Sequence, residues 1–206
     1  IYRHVWLNKT NSLHVPADGT FVSTTKLSNA SAQLASKVAV INEGSKSYQF
    51  KIVQTVLDAD ALWFLAEQPI RLNGKTYLTP HPGEASKLLN CSVAEIENNR
   101  VHAIQNLQEK YAGQWVLKGA GSLILEDQLW ICTAGNAGMG TGGMGDVLAG
   151  MIASLKAQLQ DDIALHQIVT LHAQAGDLLA QQGERGLQAQ QMSQAIYTVV
   201  NREHTV

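Results

Sequence analysis

Asn136-Ala137-Gly138-Met139-Gly140-Thr141-Gly142-Gly143-Met144-Gly145-Asp146-Val147-Leu148-Ala149-Gly150 is the most informative segment of the chain. Five glycines lie between Gly138 and Gly145. They remove Cβ atoms where backbone bends sharply or approaches something closely. Val147, Leu148, Met151, Ile152, Leu155 and Leu159 then recur at helical spacing, which predicts a helix beginning near Gly145 and Asp146 with one buried face. A glycine loop that feeds a helix N-terminus leaves amide groups without intrahelical partners at the positive end of the helix dipole. Gly142, Gly143, Met144 and Gly145 are therefore expected to form a hole for phosphate or another anion.

Asp146 stands at that mouth, and two readings of it compete. It can cap orphan amides, as acidic residues at helix starts do. It can also act as a general base on a substrate hydroxyl while the amides hold a transferring phosphoryl group. The glycine density favours the second, because a structural cap has no need of so much backbone freedom.

Gly138-x-Gly140-x-x-Gly143 matches a dinucleotide-binding fingerprint literally. That fingerprint needs a second strand after its helix, and everything beyond Gly145 reads as helix. The expected arrangement is different: the last strands of an α/β sheet feed an anion-binding helix late in the chain.

The 206 residues are 45% hydrophobic, enough for one buried core. A net charge of −2 and the lack of a basic run interleaved with aromatics argue against nucleic acid and for small-molecule ligands. Cys91 and Cys132 are too few for a disulfide framework and are expected to remain thiols in a reducing cytoplasm. No apolar run approaches a membrane span, so no membrane partner is expected. Ile1 is not a methionine, which suits a fragment, a processed product or part of a larger fusion alike.

Ser23 to Ser36 is rich in small polar residues and suits a polar helix or loop, and Lys37 to Asn42 suits a short strand. Ile52, Val53, Val56 and Leu57 predict a strand that stops at Asp58-Ala59-Asp60, followed by a short helix. Asp58 and Asp60 either cap that helix or face the ligand crevice of an open sheet. Gly74-Lys75-Thr76 resembles the end of a phosphate-binding loop, but Pro69 replaces its first glycine, so a plain turn is expected. Pro80-His81-Pro82-Gly83-Glu84 follows a short strand. Its two prolines hold His81 rigidly, as a substrate contact or as a merely exposed histidine.

Val93 to Tyr111 predicts one amphipathic helix with Val93, Ile96, Val101, Ile104 and Leu107 inward and Arg100 solvated. Gln114 to Leu117 predicts a strand leading to Lys118-Gly119-Ala120-Gly121-Ser122. This segment is either a phosphate-holding loop or a tight turn with a surface lysine. Leu123-Ile124-Leu125 and Leu129-Trp130-Ile131 predict a hairpin. Ile163 to Gln182 and Met192 to Asn201 predict two further helices. His166 and His172 in the first of these lack metal-ligand spacing and are expected to be structural.

Four stretches, Val56 to Leu62, Leu78 to Glu84, Val116 to Ser122 and Gly135 to Gly150, together with Gly183 to Leu187, resemble in order and spacing the ADP- or ATP-dependent NAD(P)H-hydrate dehydratases. The resemblance covers roughly residue 52 to the C-terminus. Val40 to Ser45 stands where the family has a Gly-Pro-Gly-Leu-Gly loop and does not match it. The resemblance implies a ribokinase-like α/β fold, a three-layer sandwich with a mostly parallel central sheet flanked by helices. Residues 1–206 would form one such domain lacking part of its N-terminal region.

The resemblance also implies dehydration of (S)-NAD(P)H-hydrate through phosphorylation of the C6 hydroxyl, the alternatives being a ribokinase-like small-molecule kinase or a noncatalytic nucleotide-binding subunit. By the same resemblance Lys118, Gly119, Ala120, Gly121, Ser122 and Gly145 bind the adenine nucleotide, ADP or ATP. His81 and Asp146 contact the hydrated dinucleotide, and Asp146 is the catalytic base. Mg²⁺, a cytoplasmic setting, a homo-oligomer and fusion to an NAD(P)H-hydrate epimerase are further expectations, and no metal ligand is named.

Overall fold

The structure, a computed structural model, describes residues 12–14, 20–27, 32–47 and 56–201. The chain divides at residues 52 and 53 into two compact units. In the first, β1 (Leu13–His14) pairs antiparallel with β4 (Ile41–Asn42), and β2 (Thr20–Leu27) pairs antiparallel with β3 (Ala32–Val38). The polar helix or loop expected over Ser23 to Ser36 is therefore corrected to strand at 23–27 and 32–36, and residues 28–31 lie outside the described residues. Phe21, Val22, Thr24 and Thr25 are β-branched or aromatic, and such residues suit a pleated surface whatever their polarity. The strand expected at Lys37 to Asn42 is divided between the end of β3 and β4.

The second unit is built on a five-stranded sheet of order β5 (Val56–Leu57), β6 (Tyr77–Leu78), β7 (Gln114–Leu117), β8 (Leu123–Leu125) and β9 (Leu129–Ile131). β5, β6 and β7 run parallel, while β8 and β9 add the expected antiparallel hairpin. Ile52 and Val53, expected in the first of these strands, lie outside the described residues. Among the described residues no strand follows β9, in keeping with the rejection of a dinucleotide-binding unit.

Alternation along the strands assigns the two faces. Leu57, Leu78, Trp115, Leu117, Leu123 and Leu125 join one core. Helices α1 (Asp60–Glu67), α2 (Pro82–Leu89), α3 (Val93–Asn98) and α4 (Arg100–Tyr111) pack on that side. Val56, Tyr77, Val116 and Ile124 face the other side, where α5 (Met144–Leu159) and α6 (Leu165–Ala180) cover them. The unit is a helix, sheet, helix sandwich, with α7 (Met192–Val200) closing a third cluster against α6. Trp115 and Tyr111 are fully buried, and both satisfy their polar tips: indole Nε1 donates to the Ala112 carbonyl and the Tyr111 hydroxyl to that of Leu88.

The single helix expected over Val93 to Tyr111 is two. Asn99 leaves helical geometry at φ −148° and ψ 71°, and its side chain accepts from the His102 N–H to cap α4. This break shifts the helical phase, so Val93 and Val101, expected inward, are 46% and 40% exposed. Gly74 to Thr76 is the turn expected, with Lys75 paired to Asp161 at the surface.

Glu126, between β8 and β9, supplies the cap that Ala164 cannot give α6. It accepts from the Leu165 and His166 N–H groups at 2.8 and 2.9 Å, and the His166 ring, stacked on Trp130, approaches the same carboxylate at 2.7 Å. Glu126→Ala leaves two amides without that acceptor and should cost about 1–3 kcal/mol in urea unfolding. An unchanged midpoint would show that water caps α6 as well.

Candidate active site

The carboxyl ends of the three parallel strands converge on the N-terminus of α5, the place where open α/β sheets hold ligands. Asp58 follows β5, Pro80 and His81 follow β6, and Lys118 follows β7. The Lys118 N–H donates to the Pro80 carbonyl at 2.9 Å, joining two of these loops. The Lys118 ammonium donates to Asp58 Oδ1 at 2.9 Å and lies 3.8 Å from Glu84 Oε2, with all three side chains largely buried. Asp58 thus serves as the partner of Lys118 at the carboxyl end of the sheet. The N-cap of α1 is Ala59, with no side-chain cap, so the capping reading of Asp58 fails. A Cβ on Gly145 would stand 3.1 Å from Lys118 Nζ, so glycine here lets the start of α5 approach the ammonium.

His81 is held by a reciprocal cap at the start of α2 as well as by its prolines. Its Nδ1 accepts from the Gly83 and Glu84 N–H groups at 3.0 and 3.3 Å, while Glu84 Oε2 accepts from the His81 N–H at 2.7 Å. Nδ1 is therefore the lone-pair nitrogen, and the ring proton sits on Nε2 in the neutral side chain. Half of the side chain stays exposed.

Arg100, expected in solvent, turns inward instead. Nη1 donates to the carbonyls of Ala120 and Gly121 at 2.6 and 3.3 Å, and Nη2 to those of Leu117 and Lys118 at 3.1 and 3.4 Å. A Cβ on Gly119 would lie 2.8 Å from Nη2. In a trans peptide the N–H points opposite the C=O. By taking these carbonyls Arg100 turns the Gly119, Gly121 and Ser122 amides to the other side of the loop. Among the described residues none of the three donates to a backbone acceptor.

α5 begins at Met144, after Gly143 in the left-handed region at φ +87°, and no side chain caps it. Asp146, in its first turn, is exposed and makes no capping bond, so the plain alternative for this residue is not what the structure contains. The Met144 N–H reaches the Thr141 carbonyl at 3.5 Å, and the Gly145 and Asp146 amides, without a backbone acceptor among the described residues, remain available to an anion.

A cavity of about 1040 Å³ gathers His81, Lys118 to Ser122, Gly142, Met144 and Gly145 in one wall. Gly143 and Asp146 are outside that wall. The lining also includes an apolar set that sequence reading missed, Cys132, Ala134, Leu148, Val169 and Ala173 with His172 among them. His172 is 6% exposed, and its Nε2 is buried without a partner. Burial pushes its pKa down to about 4 against the opposing pull of a hydrogen bond with the Met144 backbone. His172 lies in no recognisable local motif, whereas Asp58 falls within the Val56 to Leu62 stretch. Among the described residues, no group of three or more His, Cys, Asp or Glu could hold a metal ion.

A family profile described as NAD(P)H-hydrate dehydratase matches residues 10–198. The bifunctional NAD(P)H-hydrate repair enzyme Nnr of Coxiella burnetii is 45% identical over 181 residues, which are 81% of this chain and 37% of that protein. The crystal structure of the ADP/ATP-dependent NAD(P)H-hydrate dehydratase from Bacillus subtilis, co-crystallised with ATP/Mg²⁺ and soaked with CoA, superposes with a TM-score of 0.64 at 27% identity. It covers 71% of this chain and 55% of its own. A ribokinase-like superfamily protein from Enterococcus faecalis gives 0.60 at 28%, covering 70% and 51%. The fold is ribokinase-like, and the chain spans about a third of the length of the curated relatives it matches.

Burial of His172 has a consequence for acid stability. The folded chain holds the ring neutral down to about pH 4, whereas an unperturbed histidine titrates near 6.5. Between these values the unfolded chain binds more protons. The stability tied to the neutral ring is full above pH 6.5 and falls as the pH drops toward 4, by about 3 kcal/mol at most. Urea unfolding across this window should show the loss in the parent chain and a flatter profile in His172→Leu; parallel profiles would contradict the assignment.

Proposed function

The chain belongs to the NAD(P)H-hydrate dehydratase family, and from that membership we propose that it dehydrates (S)-NAD(P)H-hydrate with ADP as phosphoryl donor. The observation that carries this reading is the meeting, in one cavity, of the uncapped α5 N-terminus with the amide-lined Lys118–Ser122 loop. Such donors stabilise charge that develops on a transferring phosphoryl group.

In this mechanism the Asp146 carboxylate takes the proton of the C6 hydroxyl. The hydroxyl oxygen forms a bond to the terminal phosphorus of ADP, and the bond from that phosphorus to the AMP oxygen breaks. The C6–O bond then breaks, phosphate carries away its electron pair, and a proton leaves the neighbouring ring carbon. The products are NADH or NADPH, phosphate and AMP. Gly142 to Gly145 amides hold the phosphoryl oxygens, Lys118 to Ser122 and Gly145 hold the nucleotide, and His81 with Asp146 orients the hydrated ring. Paired with Asp58 and close to Glu84, Lys118 serves chiefly to keep that loop in place.

Mg²⁺ belongs to this reading as an ion brought by the nucleotide. Asp58 and Glu84 are engaged by Lys118 and the His81 N–H and do not line the cavity, so no side chain is assigned to the ion, whose oxygen ligands would come from the phosphates and water. When bound it would neutralise phosphate charge. The remaining length of relatives such as the Coxiella enzyme, bifunctional by name, suits an epimerase as partner. The free thiols of Cys91 and Cys132 suit a reducing cytoplasm. No helix among the described residues is long and apolar enough to cross a membrane.

With (S)-NADHX, ADP and Mg²⁺, recovery of NADH absorbance with one AMP formed per turnover is the expected result. Asp146→Asn should lower turnover by about 10²–10⁴ and leave ADP affinity unchanged, as loss of a general base does. Full turnover in this variant would remove Asp146 from the mechanism.

A further inference from the structure

Residues 134–140 form a strap, of which all but Gly138 line the cavity. Two hydrogen bonds fasten it to α6, and a third braces it from within. Asp177 Oδ2 accepts from the Gly135 N–H at 2.9 Å, and Asp177 Oδ1 from Asn136 Nδ2 at 3.0 Å. Asn136 Oδ1 in turn accepts from the Gly138 N–H at 3.0 Å. One turn of α6 also supplies a slot: a Cβ on Gly176 would overlap the Met139 thioether seated there.

The polarity of this chain of bonds is forced. An ionised carboxylate only accepts, so the Asn136 amide must turn its NH₂ to Asp177 and its oxygen to Gly138. Asp177 takes no part in the chemistry above and does not line the cavity.

We propose that Asp177 is a positioning residue, which through Asn136 presets the 135–138 strap and so sets the affinity for an adenine nucleotide. The nucleotide part rests on the function proposed above. In Asp177→Asn the new amide can still accept from the Gly135 N–H, but its NH₂ then faces that of Asn136. Turning Asn136 over to meet it removes the acceptor from Gly138. Exchanging the two side chains rebuilds the chain of bonds in reverse at the same net charge. The amide, moved to α6, donates to the carboxylate, moved to the strap, whose second oxygen accepts from the Gly138 N–H.

Titration calorimetry with ADP and Mg²⁺, on variants whose folding is checked by circular dichroism, tests this. Asp177→Asn should raise the ADP Kd by about tenfold or more, and Asp177→Asn with Asn136→Asp should return it to within about threefold of the parent. Amide exchange at Gly138 should follow the same order, protected in the parent, fast in the single variant and protected again in the double, while Gly135 keeps its acceptor throughout. Parent-like affinity and exchange in the single variant would overturn the proposal, as would a folded double variant that recovers neither. Failure of the parent chain to bind ADP would overturn the nucleotide assignment, while exchange at Gly138 would still decide whether the strap is clamped.

Discussion

The site depends on where backbone polarity is left open. Helix starts normally find a side-chain oxygen for their first amides, and loops normally pair theirs across a turn. Here α5 starts with none, and the 118–122 loop gives its carbonyls to Arg100. What remains facing the cavity is a set of N–H donors fixed by the fold. Because they are set before any ligand arrives, they need no reorganisation to meet a phosphoryl group.

Each layer of the sandwich contributes one support to that arrangement. The face carrying α1 to α4 sends Arg100 under the loop, and the face carrying α5 and α6 supplies the uncapped helix start and the apolar lining. The parallel strands bring Asp58, His81 and Lys118 to one edge, although the first and last of these are 60 residues apart in sequence. Lys118 thus works from within an ion-paired cluster with Asp58 and Glu84. Glycine is needed at 145 because the ammonium sits against the helix start.

Local signals account for what could be read in advance. Alternation at Trp115, Val116 and Leu117 and the helical spacing after Gly145 placed strands and helices correctly, and the family motifs located most of the cavity wall. Misreadings came where a partner lies far along the chain or the phase is reset. Arg100 looked like the polar face of a helix because its four carbonyl partners are 17 to 21 residues away. Asn99 broke a pattern that hydrophobic spacing alone would continue. Asp177 and His172 gave no signal, since a carboxylate and an imidazole on a helix declare their partners only once β9, the strap and α5 are packed around them. In the first unit, low hydrophobicity hid the β-branched residues that make β2 a strand.

A crystal structure of the chain with bound ADP would show whether these open amides are the phosphate site. The phosphates are expected within hydrogen-bonding distance of the Gly119, Gly121 and Ser122 amides and of the first turn of α5, with the base against the apolar lining beside His172. Phosphates seated elsewhere, with water or protein side chains on those amides, would contradict this assignment.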